Sequence, residues 1–130
     1  MSGGMLGLPP AVAVAVGAAA GALLRWQAGA WFNPIWGGFP LGTLFVNLIG
    51  GLGIGLALAW LGRHPDEGLR LLLVTGLLGG FTTFSAFSAE SLTLLEKGDF
   101  GGALFHTLAH VIGALACAAL GARLMRAWLL

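Results

Sequence analysis

The chain has 130 residues, of which 58% are hydrophobic and only 8% charged, with a formal net charge of +1. A water-soluble domain of this length carries roughly a quarter of its residues as charges, and so even a balance leaves no basic patch for nucleic acid. The apolar residues gather into runs of about 20, the length that crosses a bilayer. Residues 1–130 therefore read as a single all-α, multi-pass membrane domain in a cell membrane.

Four spans follow in chain order. The first covers about 9–31 and starts at a proline, where the missing N–H costs nothing. No Lys or Arg precedes it, so it reads as a retained span rather than a cleaved signal peptide. A turn-rich stretch, Asn33-Pro34-Ile35-Trp36-Gly37-Gly38-Phe39-Pro40, leads to the second span, about 41–61. The third covers about 69–95 and the fourth about 100–125. Short connections impose an up-down-up-down path with both termini on one side.

Trp26, Trp31, Trp36, Trp60 and Trp128 all lie near span ends, as interfacial anchors do. Gly17-x-x-x-Gly21 and Gly51-x-x-x-Gly55 allow close approach of helix backbones. Cys117, the single cysteine, sits in an apolar run and reads as a small buried hydrophobe. Arg63, Arg70, Arg123 and Arg126 fall on the side of the termini, with Arg25 and Lys97 towards the other. That bias is thin under the positive-inside rule and admits insertion in both orientations.

The third span carries the chemistry. Its centre reads Gly79-Gly80-Phe81-Thr82-Thr83-Phe84-Ser85-Ala86-Phe87-Ser88-Ala89-Glu90, and a Gly pair, β-branched Thr and repeated Ser each weaken a helix. The expectation is a break near 79–83. Backbone groups freed at such a depth are tolerated only when buried in protein, bound to an ion, or lining a wet cavity. Phe84 and Phe87 share a helical face, and a ring edge is positive enough to face an anion. Thr83, Ser85 and Ser88 add hydroxyls, although serines in membrane helices usually bond back to their own backbone.

Elsewhere, Asn47 is the strongly polar residue in the middle of the second span, either interhelical glue or a donor to a permeating anion. Thr43 lies one turn earlier on its face. His106 and His110 stand four apart in the fourth span. A pair at that spacing can bind a metal or haem, but two ligands do not close a site. Glu90 is an intramembrane carboxylate, a type of residue that is functional by default. Arg25 has a stem long enough to snorkel to the interface.

Three stretches together resemble the Fluc (CrcB) fluoride channels: Gly21-Ala22-Leu23-Leu24-Arg25-Trp26, Gly42-Thr43-Leu44-Phe45-Val46-Asn47-Leu48-Ile49-Gly50, and Thr75 through Glu90. The resemblance covers nearly the whole chain, and its most specific part is Gly-Gly-x-Thr-Thr-Phe-Ser-x-Phe-Ser in the third of four short spans. It implies a fluoride-selective channel, not an enzyme, built as an antiparallel, dual-topology homodimer with two pores. It also implies a structural sodium ion (Na+) on the dimer axis, held by backbone carbonyls of Gly79 and Thr82. In the implied pathway Phe84 and Phe87 turn ring edges to fluoride, Asn47 lends its amide and Ser85 a vestibule hydroxyl. Arg25 matches a basic residue that family members share.

The sequence departs from the family at Ala86, which replaces a common Thr, and at His106 and His110, which fall where Tyr and Ser often form a polar track. Imidazoles at those places can donate to an anion and can charge below about pH 6.5. Fluoride flux is therefore expected to depend on pH, and equal flux into buffers at low and neutral pH would contradict that expectation. Two other readings compete. A small dual-topology multidrug or cation exporter needs a carboxylate in its first span, where Arg25 is the only charge. A haem-binding anchor subunit would use His106 or His110 and show a Soret band.

Overall fold

The computed structural model describes residues 6–130, and among these all regular structure is helical. Four helices are long and apolar enough to cross a membrane: Pro10–Phe32, Leu41–Arg63, Glu67–Glu96 and Phe100–Trp128. Three of them extend past the apolar runs by a few residues, and aspartates cap two of the helix starts. Asp66 accepts the Leu69 N–H at 2.9 Å and Asp99 accepts the Gly102 N–H at 2.8 Å. Each thereby satisfies one of the amides that a helix start leaves unpaired. The second helix follows Pro40, which offers no side-chain cap. Asn33, at the end of the first helix, supplies one by accepting the N–H groups of Gly42 and Thr43 at 2.7 and 3.3 Å.

Small residues set how closely the helices pack. In the first helix a Cβ at Gly17 or Gly21 would collide with backbone atoms of Leu72, Leu77 and Phe81. In the second, a Cβ at Gly51 or Gly55 would collide with the backbone of Ala114 and Ala118. Thus the first helix lies against the leading half of the third span, and the second lies against the fourth helix. In a bilayer, where lipid tails are as apolar as leucine, such backbone approach is what helix association relies on. The large aliphatic side chains mostly point outward, among them Leu23, Val111, Ile112 and Leu115.

The third span is the irregular one. Arg70–Leu78 form a π-helix, in which the Gly79 N–H reaches back to the Val74 carbonyl. Gly79–Phe81 return to α geometry, Thr82 and Thr83 are extended, and a second helix runs over Phe84–Glu96. The interruption is narrower than expected from the glycines. Gly79 itself is helical, with φ −62° and ψ −38°. Gly80 is small for a different reason: a Cβ there would strike the backbone of Ala18 in the first helix. Gly80 is a packing contact, and the two threonines after the glycine pair make the break.

Candidate functional site

The break is held open by one side chain. Asn47, the seventh residue of the second helix, accepts the Thr83 N–H on Oδ1 at 2.9 Å and donates from Nδ2 to the Thr83 carbonyl at 3.1 Å. The Thr83 N–H can only donate, so these two bonds fix which end of the amide is oxygen. Nδ2 then also faces Nδ1 of His110 at 3.0 Å, and that nitrogen must be the acceptor. The imidazole proton consequently sits on Nε2. Among the described residues Nε2 of His110 has no partner although it is buried, a condition that costs about 1–3 kcal/mol.

The same bonds redirect the backbone. In an unbroken helix the Thr83 N–H would bond the Gly79 carbonyl and the Ala86 N–H would bond the Thr82 carbonyl. Asn47 takes the first donor, and the Thr83 hydroxyl, as N-cap of the trailing helix, takes the second at 3.1 Å. Carbonyls four residues upstream of both donors lose their helical partners. The Gly80 carbonyl is satisfied differently, by Nε of Arg25 at 3.0 Å. Arg25 is thus tied to the break itself rather than extended to the interface.

Glu90 anchors a second network one turn beyond Phe87. Its two oxygens accept from the Thr43 hydroxyl at 2.6 Å and face Nε2 of His106 at 3.1 Å. Nδ1 of His106 lies 2.8 Å from the Ser91 hydroxyl. With Nε2–H donating to the carboxylate, Nδ1 accepts from Ser91, and every polar atom of the fully buried His106 ring is satisfied.

Aromatic rings join the two networks. Phe87 is buried and stacks on His106 with ring centroids 5.2 Å apart and planes 7° from parallel. It also lies 4.9 Å from the His110 ring and 5.3 Å from Phe84. Phe84 is 76% exposed. A cleft of about 470 Å³ opens beside these rings, lined by Asn47, Thr82, Thr83, Phe84, Phe87 and His110 among others. A second, of about 450 Å³, is lined by Arg25, Thr43, Thr83 and Glu90. Thr83 borders both, so the clasped break stands between two recesses.

Most residues singled out from the sequence therefore meet in space. Asn47, Thr83, Phe84, Phe87, His106 and His110 form one continuous assembly. Ser85 lies 3.2 Å from the Thr83 hydroxyl and is exposed. Ser88 stands apart: its hydroxyl donates to the Phe84 carbonyl at 2.9 Å and keeps only lone pairs for other partners. Glu90, Thr43 and Ser91 are the members that residue-by-residue reading leaves unconnected. Glu90 lies three residues after Phe87, hence on the same helical face, and that spacing was the available signal.

Residues 12–122 match the family described as "CrcB-like protein, Camphor Resistance (CrcB)". The chain belongs to the CrcB family. The matched region holds the clasp, both phenylalanines and both histidines. Relatives in this family are named as fluoride-specific ion channels FluC. The protein of Aromatoleum aromaticum is 49% identical over 123 residues, covering 93% of this chain and 94% of that one. The protein of Bordetella petrii is 53% identical over 112 residues, covering 85% and 86%. That of Thiobacillus denitrificans is 49% identical over 112 residues, covering 85% and 90%. A CrcB protein with four spans is a multi-pass membrane protein.

Proposed function

We propose that this protein is a fluoride channel of the inner membrane, passing fluoride out of the cytoplasm down its electrochemical gradient without proton or ATP coupling. One observation carries the reading: about half of all positions are identical to fluoride-specific ion channels across nearly the whole four-helix unit. The site gives that reading a physical form. Ring edges of Phe84 and Phe87, hydroxyls of Thr83 and Ser85, and the imidazole of His110 line the path, with His106 packed behind Phe87 and Asn47 fixing the break between the recesses. Such donors and edges replace part of an anion's hydration where bulk water is excluded. Ser88 borders this path, and Arg25 lends positive charge to the second recess.

The channel works as an antiparallel homodimer in our reading, with chains inserted in both orientations and two pores that each use both subunits. What supports it is the exposure of Phe84, Ser85 and Ser88 on a span that must not show an interrupted backbone to lipid. A second copy laid across the break covers it. The residues also fit a structural sodium ion on the dimer axis. Gly79 and Thr82 carbonyls, whose helical donors are diverted to Asn47 and Thr83, are the oxygen ligands a hard cation takes. When bound, the ion would supply positive charge at the crossing of the two breaks.

The test is a fluoride electrode beside liposomes loaded with potassium fluoride and carrying the purified protein. Adding a potassium ionophore is expected to release the fluoride load rapidly, with or without a pH gradient. Release that needs a proton gradient, or that occurs equally for chloride, would contradict a passive fluoride channel.

A further inference from the structure

We propose that Glu90, His106 and His110 form a binding site for a divalent transition-metal ion of zinc type, and that the bound ion closes the pathway. The inference rests on the fluoride-channel reading only for its consequence, since binding itself depends on the three side chains alone. One ligand atom from each residue lies within 4.8 Å of the other two. A carboxylate with two imidazoles is a donor set that zinc accepts, with bonds of about 2.0–2.2 Å and a fourth position left for water. Ligands on such an ion stand about 3–3.5 Å apart. The Glu90–His106 contact of 3.1 Å is already there, and His110 needs to close by about an ångström.

The surroundings resemble a prepared metal site in a second way. A ligating imidazole is normally held by its other nitrogen, and Nδ1 of His106 lies 2.8 Å from the Ser91 hydroxyl. The second oxygen of Glu90 is held by Thr43. Ligation through Nε2 of His106 moves its proton to Nδ1, which then donates to the Ser91 hydroxyl oxygen, so both ligands keep their outer atoms held. His110 is the adjustable member. Its Nε2–H is buried with no partner among the described residues, and its Nδ1 is engaged only by Asn47. Ligation through Nδ1 replaces Asn47 with the metal, and ligation through Nε2 moves that proton to Nδ1. Either way the Asn47–His110 bond is given up while both Asn47–Thr83 bonds remain.

Position gives the ion its effect. Both imidazoles pack against Phe87, with centroids 5.2 and 4.9 Å away. A cation fixed by three ligands there holds fluoride instead of passing it. It also draws His110 off the clasp.

The experiment uses the full chain, purified with chelator and then titrated with Co²⁺ in detergent and with Zn²⁺ in fluoride-loaded liposomes. Co²⁺ is expected to give the intense visible absorption of a four-coordinate site, displaced by Zn²⁺. Zn²⁺ at about ten times its Kd should leave about a tenth of the metal-free efflux, and chelator should restore it. Each variant is compared with its own chelated flux. Glu90→Gln and His106→Gln should lose the spectrum and the inhibition together. Ser91→Ala should weaken Co²⁺ binding about tenfold, which also serves if the other variants fail to fold. A Co²⁺ spectrum typical of six-coordinate hydrated ion, or equal Zn²⁺ inhibition in Glu90→Gln, His106→Gln and Ser91→Ala, would overturn the site. Absence of efflux in chelator would instead count against the channel reading and leave the Co²⁺ result standing.

Discussion

At the scale of single residues, Asn47 matters because one amide satisfies both backbone groups of Thr83 and one face of His110. Removing it leaves a part-buried N–H and C=O of Thr83 unpaired, each at up to about 1–3 kcal/mol. Asn47→Ala is therefore expected to lower thermal stability in detergent by several degrees and to slow fluoride efflux at least tenfold, on the order of 1.4 kcal/mol of barrier. Phe84 and Phe87 should separate under the same measurements. Phe84 is largely exposed, so Phe84→Ile should change subunit stability by less than about 0.5 kcal/mol while still reducing flux. Phe87 is buried against two imidazoles, so Phe87→Ala should cost about 3–5 kcal/mol and lower both. Equal melting temperatures for Phe84→Ile and Phe87→Ala would contradict this division.

At the scale of helices, part of the arrangement was legible in the residues and part was not. Pro10, the turn at 33–40 and the Gly98 turn, with φ +75°, mark the helix ends as their chemistry dictates. The break was legible as weak helix formers in mid-span, but its position was not. Glycine both weakens a helix and lets helices touch, and local sequence does not say which use prevails. Contact with Ala18 decides it for Gly80, and the clasp from Asn47 decides it for Thr83. No residue pattern announces the π-helical stretch at Arg70–Leu78, within which Gly76 lies close against Val14 and Gly17 of the first helix. The roles of the glycines are open to test. Gly17→Ala puts a methyl into the backbone of the third span and should cost at least about 2 kcal/mol. Gly101→Ala meets nothing within 4 Å and should stay within about 0.5 kcal/mol of wild type. Comparable melting temperatures for these two variants would show that the seam is looser than described.

At the scale of the whole molecule, the subunit is a four-helix unit with its most polar backbone on an open face. Hydropathy and length were enough to show four spans, because a bilayer admits few other solutions. The union of Glu90, Thr43, Ser91, His106 and His110 was not legible, since it joins three helices whose relative rotation is set by packing. The proposed partnership between two copies rests on the same physics, since an interrupted backbone is not left facing lipid. A single cysteine placed at Ser85 in a background with Cys117→Ala is expected to crosslink two subunits through a short reagent, and exclusive monomer would count against the dimer. The central claim is that the clasped break forms a fluoride path. It is tested most directly by fluoride-electrode efflux from liposomes carrying wild type, Asn47→Ala or Phe84→Ile at matched protein density. Rapid efflux from wild type and at least tenfold slower efflux from both variants is the predicted result. Folded wild-type protein that releases no fluoride, or variants that release it at the wild-type rate, would contradict it.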